Sequence, residues 1–410
     1  MSSTPATDPG PAIPLAAHHL DPADTPHIQR LLESLFAGRA SFVPLAPGSS
    51  PHPSLRVGEP VTPGTLVACT SGSTGTPKGA LLTAANLRAS AAATEAFMAR
   101  AFAAHPGAWL LTVPAHHIAG LQVCLRSLHA GYSPVAARHL GTGESFSAPG
   151  FAADTRRLMQ TFPGVDLYTS IVPTQLNRLA ASPGGIAALA QYAGVLVGGA
   201  AAEPGVVEKL RNEGAHLALT YGSSETAGGV IYNGHPLPGV TADIDTPDNQ
   251  GTGRIILSGP MVSAGYRNGP QAAFPQPGVF RTSDLGRLDT QGSLHVLGRM
   301  DAVINTGGMK VLPEDVERAL TALPGIAEAC AVGIPDPEFG QAVAAGVVLQ
   351  PDATYPSASL TAAVRQALAA AGVPAYVRPR CLRSLPRLPV TGPGKVDRQA
   401  VGRLLRDAQR

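Results

Sequence analysis

The run Thr70-Ser71-Gly72-Ser73-Thr74-Gly75-Thr76-Pro77-Lys78-Gly79 decides how this chain is read. It follows a short apolar segment, Leu66–Cys69, and precedes a long alanine-rich stretch, Ala84–Phe102. The first has the length and composition of a buried strand, and the second reads as a helix with Thr83 as its N-cap. Glycines between them let the backbone wrap so that several N–H groups point at one anion. Ser71, Ser73, Thr74 and Thr76 add hydroxyl donors, and Lys78 adds a charge able to reach a terminal phosphate. A plain surface loop needs neither this density of hydroxyls nor a lysine at an expected strand–helix junction. Gly79 follows Lys78 where the common nucleotide-binding loop has Ser or Thr, so this is a different kind of phosphate loop.

Working outward, apolar runs and helical stretches alternate. Leu66–Cys69, Trp109–Val113, Asp166–Val172, Gly194–Val197 and His216–Tyr221 read as buried strands. Ala84–Phe102, Ala119–Ala130, Phe151–Gln160, Thr174–Ala181 and Pro204–Glu213 read as helices, with Gly214 as a C′ residue. Such alternation predicts an α/β fold: mostly parallel sheet flanked by helices. From about Gly229 the texture changes to short strands and turns, at Gly253–Leu257, Val279–Thr282 and Ser293–Leu297, predicting a small β-rich subdomain. After Gly298 a compact α+β domain is expected: helices at Pro313–Leu323, Ser359–Ala371 and Asp397–Ala408, strands at Ile326–Ile334, Ala342–Leu349 and Arg380–Leu385. The expected division is a large domain over 1–298 and a small one over 299–410, with the boundary at 299–301. Residues up to about Pro26, rich in Pro, Ala and Asp, read as weakly ordered.

The 410 residues carry 30 Lys and Arg against 28 Asp and Glu, a formal charge of +2. That balance argues against a nucleic-acid binder working through a global basic field. At 44% hydrophobic residues a large core is expected, and the 46 glycines and 39 prolines follow no triplet period, which excludes collagen. Cys69, Cys124, Cys330 and Cys381 lie far apart with no C-x-x-C pair, so neither a zinc cluster nor a disulfide framework is expected. The opening residues lack a basic region followed by an apolar core, and no purely apolar stretch of about 18 residues occurs, so the expectation is a cytoplasmic protein with neither signal peptide nor membrane span.

The loop from Thr70 resembles the signature of the adenylate-forming acyl-CoA synthetase family, T-S/T-G-S/T-T-G-x-P-K-G. Further motifs follow in order. Pro114-Ala-His116-His117-Ile-Ala-Gly120 is similar to the segment that lines and gates the acyl pocket, with His117 at the usual histidine position. Tyr221-Gly222-Ser223-Ser224-Glu225-Thr226 resembles Y-G-x-T-E, with Ser224 for the commoner Thr. Thr282-Ser283-Asp284-Leu-Gly286 resembles T-G-D-x-G, with Ser283 for Gly. Gly298-Arg299-Met-Asp301 is similar to the hinge motif, Asn305–Val311 to the glycine turn after it, and Pro389–Arg398 to the loop holding the catalytic Lys395.

The residues also make chemical sense alone. Joining a carboxylate to the α-phosphorus of ATP brings two anions together, so cations and backbone donors are needed. Glu225 is a hard oxygen ligand for Mg²⁺, or otherwise a solvated carboxylate. Tyr221 offers a face for adenine, or otherwise a core aromatic. Asp284 can accept ribose hydroxyls or cap a turn. Gly198-Gly199-Ala200-Ala201 ends a strand without bulk, leaving room for a purine or acyl group or serving close packing. His116 and His117, if on a strand, point to opposite faces, so a shared metal is not expected. The resemblance implies that Lys395, Lys78, His117 and Glu225 carry the catalysis. It places nucleotide on Thr70, Ser71, Gly72, Ser73, Thr74, Gly75, Gly199, Ala200, Tyr221, Gly222, Ser223, Ser224, Asp284 and Arg299. It lines the acyl pocket with His117, Gly198, Gly199, Ser223, Thr226 and Gly228, and puts Mg²⁺ on Glu225. ATP, Mg²⁺ and coenzyme A are the implied cofactors and co-substrates, and a small aromatic carboxylic acid the implied substrate. No nucleic acid or membrane partner is implied, and a homodimer is the assembly considered.

The chain is short for the family, as are the o-succinylbenzoate–CoA ligases of menaquinone synthesis, and Ser170–Leu179, Val197–Ala202, Tyr221–Gly229 and Tyr232–Val240 resemble their actinobacterial branch. That substrate is a ring bearing a carboxylate, with a keto-acid side chain that is activated. Arg178, Ser223, Ser224 and Thr226 are candidates to meet the ring carboxylate. The alternatives are a ligase for benzoate, another aryl acid or a medium-chain acid, or an adenylation domain that loads a carrier protein.

Overall fold

The computed structural model describes residues 11–70, 76–353, 355, 360–391 and 395–407, with Thr391 and Lys395 described by backbone alone. The chain divides into two compact units. One holds 1–243, 256–282 and 290–294; the other holds 244–255, 283–289 and 295–410. The second unit thus includes 244–255, 283–289 and 295–298, which the sequence reading places in the large domain. The division runs through the short strands of the β-rich stretch, Gly253–Ser258 and Val279–Leu288.

In the first unit a seven-stranded sheet runs in the order His235–Pro236, Gly228–Tyr232, Leu217–Ser223, Gly194–Val197, Leu167–Ile171, Ala108–Leu111, Val135–Ala136. Five strands are parallel, and Gly228–Tyr232 and His235–Pro236 turn back antiparallel at one edge. Parallel strands buried on both faces need continuous apolar runs, and Gly194–Val197 is buried throughout. Leu176, Leu179, Leu189 and Leu210 from the covering helices pack on one face with Val195, Val197 and Leu217. The helix Ala84–Phe102 has the predicted bounds, and Thr83 forms a capping box with Asn86. Gly214, at φ +87°, follows the C-cap Glu213 as expected.

A four-stranded sheet runs Ala16–His19, Phe42–Leu45, Thr65–Thr70, Lys78–Thr83. Two expectations change here. Residues 11–26 are not weakly ordered as a whole: Ala16–His19 pairs in parallel with Phe42–Leu45, flanked by fully buried Leu15 and Leu20. And the segment after the phosphate loop is not the start of a helix. Lys78–Thr83 is a strand, antiparallel to Thr65–Thr70 through Thr70↔Lys78 and Cys69↔Gly79. Its other edge is bonded as well, with Leu81 N–H donating to Gly265 O at 2.9 Å and Arg267 N–H to Gly79 O at 2.7 Å. The loop therefore joins two strands of a hairpin.

In the second unit Ile326–Asp336 and Gly340–Leu349 form a long antiparallel pair, extended by Cys381–Ser384 in parallel and by the hairpin Ile304–Thr306/Met309–Val311. That hairpin is what the sequence reading takes as a glycine turn. The helices Pro313–Thr321 and Leu360–Ala370 bury Val316, Leu320, Val364 and Leu368 on one core, while Arg398–Asp407 buries Val401 and Leu405 on another with Ile334 and Ala344. Among the described residues no helix is long and apolar enough to cross a membrane, and all four cysteines are free.

Candidate functional site

The hairpin that carries the phosphate loop lies against the end of the strand Leu217–Ser223. Ser71, Gly72, Ser73, Thr74 and Gly75 lie outside the described residues; both shoulders of the loop are described. Thr70 Oγ1 donates to Lys78 O at 3.4 Å. Asn268 braces the far shoulder, accepting from Gly79 N–H at 2.8 Å and donating to Pro77 O at 2.8 Å and to Ser54 Oγ at 2.7 Å. Gly79 serves close approach rather than loop flexibility, since a Cβ there would fall 2.5 Å from Val67 Cγ1.

Across from it the motif Tyr221–Thr226 ends a strand and closes into a 3₁₀ turn, Ser224–Thr226. The turn is held by its own polar atoms. Thr226, wholly buried, accepts from Ser223 N–H at 3.0 Å and places its hydroxyl toward Gly228 O at 2.8 Å and Ser223 O at 3.2 Å. Ser224 Oγ donates to Cys69 O at 3.3 Å, tying the turn to the strand before the phosphate loop. Gly222 is fixed by steric need: a Cβ there would stand 2.1 Å from Gly228 O, where the register shifts between Tyr221 and Gly222.

Glu225 is 7% exposed and accepts a hydrogen bond from the Tyr266 hydroxyl at 2.6 Å. The same tyrosine ring lies under Lys78, with Nζ 5.6 Å from its centre. Tyr266 therefore joins the lysine of the phosphate loop to the candidate metal ligand, and sequence reasoning singled out neither it nor Asn268. The signal was the segment Gly265-Tyr266-Arg267, which pairs with the outer edge of Lys78–Thr83 through the bridge Ala80↔Tyr266. Phe274 meets the Tyr266 ring edge-on at 5.0 Å and holds it.

His116 and His117 lie in a turn and not on a strand; their rings are 4.2 Å apart, so the expectation of opposite faces fails. His117 is the N-cap residue of the helix Ile118–His129, with no side-chain cap bond. Gly120 lets that helix sit on the Val113–Pro114 backbone, since a Cβ would fall 2.3 Å from Pro114 O. Burial, then the charge of His117, pushes His116 down to about 4, and burial lowers His117 as well. Both rings are held neutral near pH 7. Among the described residues no group of three His, Cys, Asp or Glu is placed to hold a metal.

The acyl-pocket glycines divide. A Cβ on Gly198 would strike Thr220 Oγ1 at 2.4 Å, so it serves packing, while Gly199 adopts φ +88° and precedes the exposed Ala200. Gly228 faces Gln122, whose Cγ would lie 3.4 Å from an added Cβ. Gln122 Nε2 donates to Ala227 O at 2.6 Å, but its Oε1, like Ser223 Oγ and His116 Nδ1, is buried without a partner among the described residues. Arg178 is exposed and donates to Phe146 O at 3.0 Å, a surface role.

In the second unit Asp284 lies 3.6 Å from Arg299 Nη1, and Arg299 grips Asp301 with two bonds of 2.8 and 2.7 Å. Lys395 lies on the short strand Lys395–Val396, its backbone opposite Thr391; its side chain is outside the described set.

The AMP-binding enzyme family matches residues 65–267, and the AMP-binding enzyme C-terminal domain matches residues 315–395. A probable 2-succinylbenzoate–CoA ligase of Mycobacterium tuberculosis is 40% identical over 354 residues, 85% of this chain and 87% of that protein. Feruloyl-CoA synthase of an Amycolatopsis species is 30% identical over 397 residues, 91% of this chain and 76% of that protein. The solved o-succinylbenzoate coenzyme A synthetase of Bacillus subtilis, in complex with ATP and magnesium ion, matches with a TM-score of 0.67 and 27% identity over 82% of this chain and 69% of that one.

Proposed function

The chain belongs to the AMP-binding enzyme family, and from that premise we propose that it is an AMP-forming acid–CoA ligase that converts o-succinylbenzoate to o-succinylbenzoyl-CoA, a step of menaquinone synthesis. The observation that carries the chemistry is the meeting of Lys78 and Glu225 on Tyr266, beside the shoulders of the phosphate loop. A cation and a carboxylate held a ring apart suit a polyphosphate with its metal. The substrate reading is supported by the 40% identity to the mycobacterial ligase.

Two half-reactions follow. The aliphatic carboxylate attacks the α-phosphorus of ATP, forming acyl-AMP and releasing pyrophosphate. The thiolate of coenzyme A then attacks the acyl carbonyl, and AMP leaves. Lys78 and the loop from Thr70 hold the phosphates, and Tyr221 stacks on the adenine. His117, kept neutral, walls the acyl pocket without adding a charge beside the carboxylate. Glu225 would hold Mg²⁺ through a hard carboxylate oxygen, and among the described residues no group of three His, Cys, Asp or Glu is placed to hold a metal instead. Bound there, Mg²⁺ would neutralise phosphate charge. Lys395 bridges the attacking carboxylate and the phosphate in the first half-reaction, and the part from 299 to 410 then turns about 299–301 so that coenzyme A can enter. Asp284 holds the ribose hydroxyls. We place the reaction in the cytoplasm, with a homodimer as the assembly.

A second reading, another aryl acid, is favoured by the identity to feruloyl-CoA synthase. One experiment decides. Purified protein with ATP, Mg²⁺ and coenzyme A is offered o-succinylbenzoate, benzoate, ferulate and octanoate, and thioester is followed by mass. The reading expects o-succinylbenzoyl-CoA as the favoured product; preference for another acid removes the substrate and leaves the ligase.

A further inference from the structure

Three residues past Lys395, Arg398 opens the last helix, and nothing in the two half-reactions uses it. Its guanidinium reaches back to the helix Pro313–Thr321. Nη1 donates to Glu317 Oε1 and, at 3.0 Å, to Ala331 O. Nη2 donates to Glu317 Oε2 and to Glu314 Oε1, each at 3.0 Å. Glu317 Oε1 also accepts from Ala331 N–H at 2.8 Å, so this end of the clamp is satisfied. Burial acts to lower the arginine, but the bond to Glu317 and its charge outweigh it and raise the group further, so Arg398 stays ionised.

Glu314 is the odd member. Its Oε2 is buried and has no hydrogen-bond partner among the described residues. A buried carboxylate oxygen without a partner is costly, and such an atom calls for a reason. The reason lies beside it. A Cβ built on Gly298 would stand 2.4 Å from Glu314 Oε2 and 3.0 Å from its Cδ. Gly298 is the residue directly before Arg299, where the hinge begins. One carboxylate therefore touches the hinge with one oxygen and, with the other, the arginine that anchors the lysine loop.

The strand that carries Lys395 runs directly into the helix that Arg398 opens. Val390 pairs with Val396 and Thr391 with Lys395, Asp397 N–H donates to Pro389 O at 2.8 Å, and Asp397 caps the helix through Ala400 N–H at 2.9 Å. Only two residues, Val396 and Asp397, separate Arg398 from Lys395.

We propose that Arg398 and Glu314 form a positioning pair that couples the hinge to the lysine loop, setting Lys395 for adenylation and registering rotation about residues 299–301. This rests on the reading that Lys395 serves adenylation and that 299–301 is the hinge. In the pose seen here Gly298 walls off Glu314 Oε2. Rotation about the following residues carries Gly298 away while Arg398 stays with Glu314, so the free oxygen gains water in one pose and is sealed in the other. A side chain at 298 would press on the end of the Glu314 side chain and displace its carboxylate relative to the arginine.

The test measures the half-reactions separately: ATP–pyrophosphate exchange with the acid for the first, and thioester formation from preformed acyl-adenylate and coenzyme A for the second. Arg398→Ala is expected to lower exchange about 100-fold, the scale of a catalytic group misplaced by about 1 Å, through kcat rather than the KM for ATP, and to leave the thioester step near wild type. Arg398→Lys should restore part of the exchange. Gly298→Ala should reproduce the loss although it removes no polar group. Glu314→Gln, nearly isosteric and still backed by Glu317, is the variant that keeps the fold; it should shift the ratio of the two rates with an unchanged melting temperature. Equal loss of both steps in a folded variant, or no change in either, overturns the coupling. Lys395→Ala is run in parallel: exchange lost there but kept in the Arg398 and Glu314 variants refutes the coupling alone, whereas exchange surviving there refutes the role of Lys395 and the coupling with it.

Discussion

Tyr266→Phe separates one hydrogen bond from everything else its side chain does. The phenol oxygen donates to Glu225 Oε1 at 2.6 Å, while the ring packs edge-on against Phe274 and lies under Lys78 at 5.6 Å. Phenylalanine keeps the ring, its packing and most of its attraction for the lysine. What goes is the donor to a carboxylate only 7% exposed, beside a tyrosine only 6% exposed, where little water can replace it. A hydrogen bond to a charged group contributes about 1.5–3 kcal/mol. If that energy orients Glu225 in the adenylation transition state, the loss is about 10- to 100-fold in rate, at about 1.4 kcal/mol per factor of ten. The assay is ATP–pyrophosphate exchange over a range of Mg²⁺ concentrations, with the melting temperature measured alongside. The expected result is slower exchange, a raised Mg²⁺ requirement and a modest fall in melting temperature. A folded variant exchanging at the wild-type rate with the wild-type Mg²⁺ requirement would refute the view that Tyr266 sets the carboxylate.

Lys395→Ala should cripple adenylation while sparing thioester formation from preformed acyl-AMP; equal loss of both steps, read in the same two assays, contradicts its assigned role. Gly222→Ala puts a methyl 2.1 Å from Gly228 O and 2.7 Å from Gly229 Cα, both backbone, so the two strands must part. The cost is about 1–3 kcal/mol or more, visible as lower urea stability, and a neutral result would mean that close approach is not what fixes this glycine. For His116 the folded value, about 4, lies below the unfolded value of about 6.5. Between these the unfolded chain takes up a proton that the folded chain refuses, so stability falls as pH drops through that window. Urea titrations at pH 7 and 5 should show that slope, and His116→Gln should flatten it; an unaltered slope assigns the effect to another group.

The large elements were legible because local signals agreed. Ala84–Phe102 has helix-forming residues, a threonine cap and an asparagine that completes the capping box, and the apolar run Gly194–Val197 has the continuous burial of a parallel strand. Lys78–Thr83 was not legible. Six residues containing Gly79 and Ala80, running straight into an alanine-rich helix, show no alternation, and the strand exists because a hairpin partner, Thr65–Thr70, pairs with one edge and the distant 264–267 segment with the other. The same non-local pairing hid Tyr266, which reaches Glu225 only because its backbone is bonded beside Ala80. Leu15 and Leu20 were hidden by neighbours: a segment rich in Pro, Ala and Asp reads as loose, yet two fully buried leucines pin it to the sheet.

The motif residues sort themselves by what their polar atoms are already doing. Thr226 and Ser224 hold the turn and the strand before the loop, and Gly79, Gly198 and Gly222 are fixed by backbones or side chains that leave no room for a Cβ. These positions are needed for the shape of the site whatever passes through it, which is why a family motif can be read from them without naming a substrate. Ser223 Oγ, Gln122 Oε1 and His116 Nδ1 are different, because each is buried and without a partner among the described residues. Ser223 stands opposite Gly228 in the strand register, and Gln122 lies against the same glycine from the helix Ile118–His129. A folded chain rarely leaves buried polar atoms unpaired without use for them. The atoms that the fold does not consume therefore differ in kind from the residues that make the motif recognisable, and two of them, Ser223 Oγ and Gln122 Oε1, belong to side chains that flank Gly228.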